Sequence, residues 1–168
     1  MLFLCRQSWH EGTADLPRAW ARLGPPPDGL RRRYRLCAMP QAMVICEAAD
    51  GPSLEAQLRD AVPAGAEAVA LQPLEMGFCR EGEARGLSFM LRLGWETQAR
   101  ALDGLWPEIV QALQSFESPL VSAAYRLAGQ QEAVVFAEAG CPEALNRLTA
   151  LRLLHGVAVE QVAVLRAP

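Results

Sequence analysis

Phe3-Leu4-Cys5-Arg6-Gln7-Ser8-Trp9 and Phe89-Met90-Leu91-Arg92-Leu93-Gly94-Trp95 state one pattern twice, Phe-x-x-Arg-x-x-Trp, at an offset of 86 (89−3, 92−6, 95−9). Trp20 and Trp106 keep that offset, so all four tryptophans mark the repeat. Further on, Tyr34-Arg35-Leu36, Ala42, Val44, Glu47-Ala48 and Leu54 return 91 positions later as Tyr125-Arg126-Leu127, Ala133, Val135, Glu138-Ala139 and Leu145. The second copy has therefore gained five residues (91−86) between its second tryptophan and its tyrosine. A repeat of this length sets the architecture before any motif is read, because each copy is one structural unit.

Each copy reads as strand, helix, strand, strand, helix, strand. In the first, 2–9 interleaves apolar and polar residues as a strand does. A helix is expected to start at Asp15 with Pro17 in its first turn, and Gly24-Pro25-Pro26-Pro27-Asp28-Gly29 stops it. Residues 34–39 and 42–48 form two strands, the second apolar almost throughout, as a strand covered on both faces is. Gly51-Pro52-Ser53 opens a helix that ends at Pro63, and 66–71 is the fourth strand. In the second copy, strands fall at 87–95, 121–127, 132–139 and 157–165. Helical sequence runs over 96–116, with a new segment starting at Trp106-Pro107, and again from Cys141 to Leu154. The charged, glycine-rich stretch 77–86 is the expected linker between a unit at 1–76 and a unit at 87–168. The order βαββαβ is that of a ferredoxin-like unit. Two such units in tandem predict an α+β chain in which two four-stranded antiparallel sheets pack as an intramolecular α/β barrel.

This layout resembles the dimeric α/β-barrel superfamily, as a fusion of two subunits that ordinarily pair. Tyr125-Arg126-Leu127-Ala128-Gly129 and the stretch from Cys141 through Leu154 to Val157-Ala158-Val159-Glu160 resemble proteins like muconolactone isomerase. Cys46-Glu47-Ala48-Ala49-Asp50 and the helix after it resemble small nickel-binding ferredoxin-like proteins, without their histidine-rich ligand set. At Gln130-Gln131-Glu132 the chain departs from the isomerase pattern. The resemblance implies a small-molecule pocket between sheet and helices, and an isomerase or a cofactor-free oxygenase is one reading of it.

Composition narrows the chemistry. The chain has 168 residues, 51% of them hydrophobic, and a net charge of −3, without the basic footprint of a nucleic-acid binder. All 16 of its basic residues are arginine. Schiff-base, lysine-base and P-loop chemistry therefore have no residue to carry them. Five cysteines without C-x-x-C spacing suggest a reduced, cytoplasmic protein, and no apolar run approaches a membrane span. No cofactor or metal is implied. The expected partner is a small molecule, with neither nucleic acid nor membrane, and the chain is expected as a monomer or homodimer.

The candidate ligand-binding residues are Arg92, Trp95, Tyr125 and Arg126, and the candidate catalytic residues are Glu138 and His155. Arg92 and Trp95, three apart on a strand, must point to opposite faces, and so must Tyr125 and its neighbour Arg126. Arg92 either fixes an anionic ligand or, like Arg6, pairs with a repeated carboxylate, Glu138 or Glu47; the repetition favours the pair. Tryptophan at strand spacing is ordinarily core, although its indole N–H wants a partner. His155, just before Gly156, suits a helix C-terminus, and its functional reading is a general base near a pocket mouth. Glu138 ends an apolar strand, where desolvation would make a carboxylate a base and an arginine partner would keep it ionised. A third reading of the whole is a non-catalytic assembly protein, with arginine–glutamate pairs closed off in the core and no sizeable pocket.

Overall fold

The protein is seen in a computed structural model that describes residues 1–9, 29–37, 41–61, 66–80, 87–95, 102–151, 154 and 157–166. It is an α+β chain of eight strands, and the pairings reported below are all antiparallel. It divides into two compact units, Met1–Leu74 with Leu165–Pro168, and Glu75–Val164. No described helix is long and apolar enough to cross a membrane.

In the first unit, β1 (Leu2–Trp9) lies between β3 (Gln41–Glu47) and β4 (Ala66–Cys79), and β2 (Leu30–Leu36) pairs with the far side of β3. The order is β2-β3-β1-β4. The near-continuous apolar run of β3 follows from this central place: residues 42–46 are all buried, whichever face they point to. Phe3, Cys5, Val44 and Cys46 share the face that packs on Leu54 of α1 (Gly51–Ala61). Asp50 caps α1, its carboxylate accepting a 2.7 Å hydrogen bond from the Ser53 N–H. Gly29 turns the chain into β2 at φ +81°, and a Cβ there would collide with the Glu47 carbonyl.

In the second unit, β5 (Leu87–Trp95) lies between β7 (Glu132–Ala139) and β8 (Val157–Arg166), and β6 (Leu120–Leu127) pairs with β7. The order is β8-β5-β7-β6. The pleat divides the side chains. Phe89, Leu91, Leu93 and Trp95 join Ala133, Val135, Ala137 and Ala139 in a core closed by Leu102, Trp106, Ile109 and Leu113 of α2 (Leu102–Gln114). The alternate residues, including Arg92, Val134, Phe136 and Glu138, point to the other face.

Three expectations change. Pro107 does not start a new helix; α2 runs through it, because Leu102, Trp106, Ile109 and Leu113 recur along one buried stripe whose packing outweighs the single hydrogen bond a proline removes. The long helix expected from Cys141 is instead a 3₁₀ turn (Pro142–Leu145) followed by the one-turn α3 (Asn146–Thr149). Leu145, Leu148, Leu151 and Leu154 nevertheless all reach the core. Their spacing of three is the period of a 3₁₀ helix, and the Leu151 and Leu154 N–H groups donate to carbonyls three residues back, at 3.2 and 2.8 Å. Finally, residues 77–79 of the expected linker are strand: Phe78 is buried, and Gly77 lies against α2. The helix expected from Asp15, with His10 and Trp20, lies outside the described residues, as do 81–86 and 96–101.

Gly77 and Gly104 make an opposed pair. A Cβ on Gly77 would lie 2.7 Å from Val110, 2.9 Å from Trp106 and 3.1 Å from the Ala124 carbonyl, whereas Gly104, in α2, has nothing within 4 Å. Gly77→Ala should therefore destabilise the protein by about 1–3 kcal/mol through overpacking. Gly104→Ala should stabilise it by up to about 1 kcal/mol through helix propensity. Urea denaturation of the two variants checks both signs.

Candidate functional site

Glu138 is the penultimate residue of β7, opposite Ser88 of β5 and Leu120 of β6. Its place between two strands buries it, to 7% exposure, although it is a carboxyl. The chain after α2 comes back over this strand end at Glu117 and Ser118. Together Glu117, Ser118, Leu120, Glu138, Ala139 and Gly140 line a pocket of about 460 Å³. That volume suits a small molecule. The wall supplies two carboxylates and a hydroxyl beside apolar surface, a set that accepts hydrogen bonds and can take a proton from whatever occupies it.

The other candidates divide between the two faces of the same sheet. Arg92 and Tyr125 sit opposite Val134 from its two sides, on the face of Glu138 but four residues away, about 13 Å at about 3.3 Å per residue. Phe136 lies between, its ring edge-on to Tyr125 at 6.3 Å and 76°. Tyr125 is buried. Arg92 is half-buried and donates from Nε (2.9 Å) and Nη2 (2.6 Å) to one oxygen of Glu132. Arg92 is thus ion-paired, but to Glu132 and not to the repeated carboxylate Glu138 that the sequence suggested.

Trp95 and Arg126 face the helices. Trp95 is buried in the core, and its indole N–H has no hydrogen-bond partner among the described residues. Arg126 ion-pairs with Asp103 in the first turn of α2 and lies 3.6 Å from Glu75. His155 lies outside the described residues. The structure therefore brings Arg92 and Tyr125 into one row, sets Glu138 in a pocket of its own, and separates both from Trp95 and Arg126.

The repeat is conservative in position and divergent in environment. Tyr34, the counterpart of Tyr125, is also buried; its hydroxyl accepts a 2.9 Å hydrogen bond from the buried Arg32. Glu47, the counterpart of Glu138, is exposed and ion-paired to Arg31, and that hydrogen-bonded guanidinium holds its carboxyl below the usual range. A repeated residue type thus carries a pocket carboxyl in one unit and a surface ion pair in the other.

Sequence reasoning missed Glu117, Ser118, Glu132 and Asp103. Glu132 and Gln131 fall where the chain departs from the isomerase pattern, and the departure had a structural use. Gln131 accepts the Leu102 N–H on its side-chain oxygen (2.9 Å) and the Trp95 N–H on its backbone carbonyl (2.9 Å), tying the start of α2 to the end of β5. Among the described residues, no group of three or more His, Cys, Asp or Glu side chains is placed to hold a metal ion.

The chain matches no protein-family model and no curated protein sequence. Its fold is that of two solved structures. One is a "putative monooxygenase" from Lactobacillus acidophilus NCFM, 8% identical, with a TM-score of 0.61 over 98% of this chain and 93% of that one. The other, of the same description, is from Fusobacterium nucleatum subsp. nucleatum, 7% identical, with a TM-score of 0.61 over 99% of this chain and 92% of that one. The likeness is one of fold.

A double-mutant cycle on Arg92→Ala and Glu132→Ala should give a coupling energy of about 1 kcal/mol, as a half-buried pair with two N–H donors on one carboxylate allows. Arg92→Ala with Glu138→Gln should be additive to within about 0.5 kcal/mol, since the two are not in contact. Unfolding free energies of the five variants and the unsubstituted chain decide whether Arg92 belongs to Glu132 or to Glu138.

Proposed function

We propose that the chain is a tandem fusion of two ferredoxin-like units, forming an α/β barrel, that binds a small, partly apolar molecule in the pocket at Glu138. The fusion is supported by the strand orders β2-β3-β1-β4 and β8-β5-β7-β6, in which the same member of each repeat holds the same place. Tyr34 and Tyr125 add to it, each paired with the third strand of its unit, at Met43 and Val134. One observation carries the binding reading: a buried carboxyl, Glu138, in the wall of a pocket of about 460 Å³. Arg92 and Arg126 are each engaged by a carboxylate, which favours a neutral ligand with an O–H or N–H for Glu138 over an anionic one. The five free cysteines fit a reduced, cytoplasmic setting, and internal pairing of the two units makes a monomer sufficient, with a homodimer as the alternative.

A second reading makes the pocket catalytic, in an isomerase or a cofactor-free oxygenase. It draws on Glu138 as a base within reach of a bound substrate, and on the description of the two structural neighbours as monooxygenases. Proton removal from an acidic C–H or O–H is the step this residue can perform. Oxygen uptake with hydroxylated aromatic compounds, abolished by Glu138→Gln, is the outcome expected of it.

Thermal stability against a panel of neutral hydroxylated aromatics and aromatic carboxylates tests binding. A neutral ligand at one hundred times its Kd should stabilise the native state by about 2.7 kcal/mol, a shift of several degrees in Tm. Glu138→Gln should remove the shift and Arg92→Ala should leave it. A panel without any shift would favour the non-catalytic assembly protein, although the Arg92–Glu132 and Arg126–Asp103 pairs are not closed off in the core as that reading expects. A carboxylate-selective shift lost on Arg92→Ala would restore the anionic reading.

A further inference from the structure

The first unit holds a group of side chains that the pocket in the second does not use. Cys5 of β1 and Cys46 of β3 are both fully buried. The register sets Phe3 opposite Cys46 and Cys5 opposite Val44, so the two cysteines are diagonal neighbours on adjacent strands. They point to the same face and pack beside Leu54 of α1. The two thiols hydrogen-bond to each other, and Arg33 of β2 stands near enough to Cys46 to act on its charge. Cys37, Cys79 and Cys141 have no such arrangement: the first is half-buried and the other two are exposed.

The electrostatics make the pair unequal. The hydrogen bond from Cys5 and, more weakly, the Arg33 guanidinium hold the Cys46 thiol below the ordinary range, against the effect of its burial. The same hydrogen bond and burial push Cys5 up, so Cys5 keeps its proton. Arg33 is itself half-buried and lowered by desolvation, and a nearby thiolate offsets part of that penalty. When Cys46 ionises, its thiolate has a protonated thiol and a cation beside it, the arrangement that reacts with an oxidant.

We propose that Cys5 and Cys46 form a buried dithiol that hydrogen peroxide oxidises reversibly to a cross-strand disulfide. The Cys46 thiolate attacks one peroxide oxygen; the O–O bond breaks, Cys46 becomes a sulfenic acid, and the released hydroxide takes up a proton to leave as water. The Cys5 sulfur then attacks the Cys46 sulfur, an S–S bond replaces S–O, and the departing hydroxide leaves with the Cys5 proton as a second water. Two thiols are oxidised by two electrons, and one peroxide is reduced to two waters. Full burial excludes a reagent of the size of glutathione, whereas hydrogen peroxide is little larger than water. Diagonal neighbours in a sheet lie slightly farther apart than an unstrained disulfide allows, by on the order of 1 Å, so β1 must shift against β3 when the bond closes. A strained cross-link of this kind is easily reduced again.

The test is hydrogen peroxide treatment of the full chain carrying Cys37→Ser, Cys79→Ser and Cys141→Ser, which leaves only this pair. The expected result is an intact mass lower by about 2 Da, a peptide linking Cys5 to Cys46, and recovery of both thiols with dithiothreitol. Arg33→Gln should slow the reaction about tenfold by removing the cation beside Cys46. Cys5→Ser should stop at a Cys46 sulfenic acid that dimedone traps once the oxidised chain is unfolded in urea. The unsubstituted chain, blocked with N-ethylmaleimide after oxidation, should give the same linked peptide, which guards against misfolding of the triple variant. No mass change, over-oxidation of either sulfur without linkage, or disulfides only between molecules would overturn the proposal.

Discussion

The structure of the second unit depends on β5 lying between β7 and β8. A strand paired on both edges has no freedom to rotate about its axis, so its period of two becomes a fixed division of side chains between two faces. Phe89, Leu91, Leu93 and Trp95 are thereby committed to the helices, and Met90 and Arg92 to the opposite face. A shift of one residue would exchange the two sets and leave Arg92 beneath α2. The first unit repeats the constraint with β3, whose five consecutive buried residues leave no polar position to expose.

From that division follows the separation of the candidate residues. Arg92 and Trp95 share one repeated motif, but they project to opposite faces, as their spacing requires, and cannot meet one ligand. Each arginine then finds the nearest carboxylate on its own face, Glu132 for Arg92 and Asp103 for Arg126. Glu138 lies two turns of the pleat from Arg92 and borders space that the chain after α2 encloses only partly. A buried carboxyl at a pocket wall and arginines neutralised elsewhere suit a neutral guest better than a charged one.

The positions repeated in the sequence differ in whether they keep one environment. Tyr34 and Tyr125 keep one environment, buried on the side chain's own row against the third strand. Glu47 and Glu138 do not: one is on the surface with Arg31, the other in a pocket. Cys5 and Cys46 have no counterparts in the second unit, where Leu91 and Ala137 sit within the helix-facing core. Sequence symmetry therefore reported the scaffold and hid the asymmetry of the chemistry built on it.

What the sequence determined by itself was the number and order of most elements. Leu2–Trp9, Leu87–Trp95 and Glu132–Ala139 are strands with the bounds their alternation gives, and Arg92 and Trp95, like Tyr125 and Arg126, lie on opposite faces as residue parity requires. These are local properties, set by the two-residue period of an extended chain and by turns at glycine and proline. The leucine spacing of three from Leu145 to Leu154 also matched the 3₁₀ bonding before and after the one-turn α3, although a helical expectation read the whole stretch as α. Only the tertiary structure decided that Glu132 would hold Arg92, that Gln131 would cap α2, and that Glu117 and Ser118 would return over Glu138. Each of these pairs residues that are distant in sequence or brought close by a turn, and strand register, which periodicity leaves open, is what selects them.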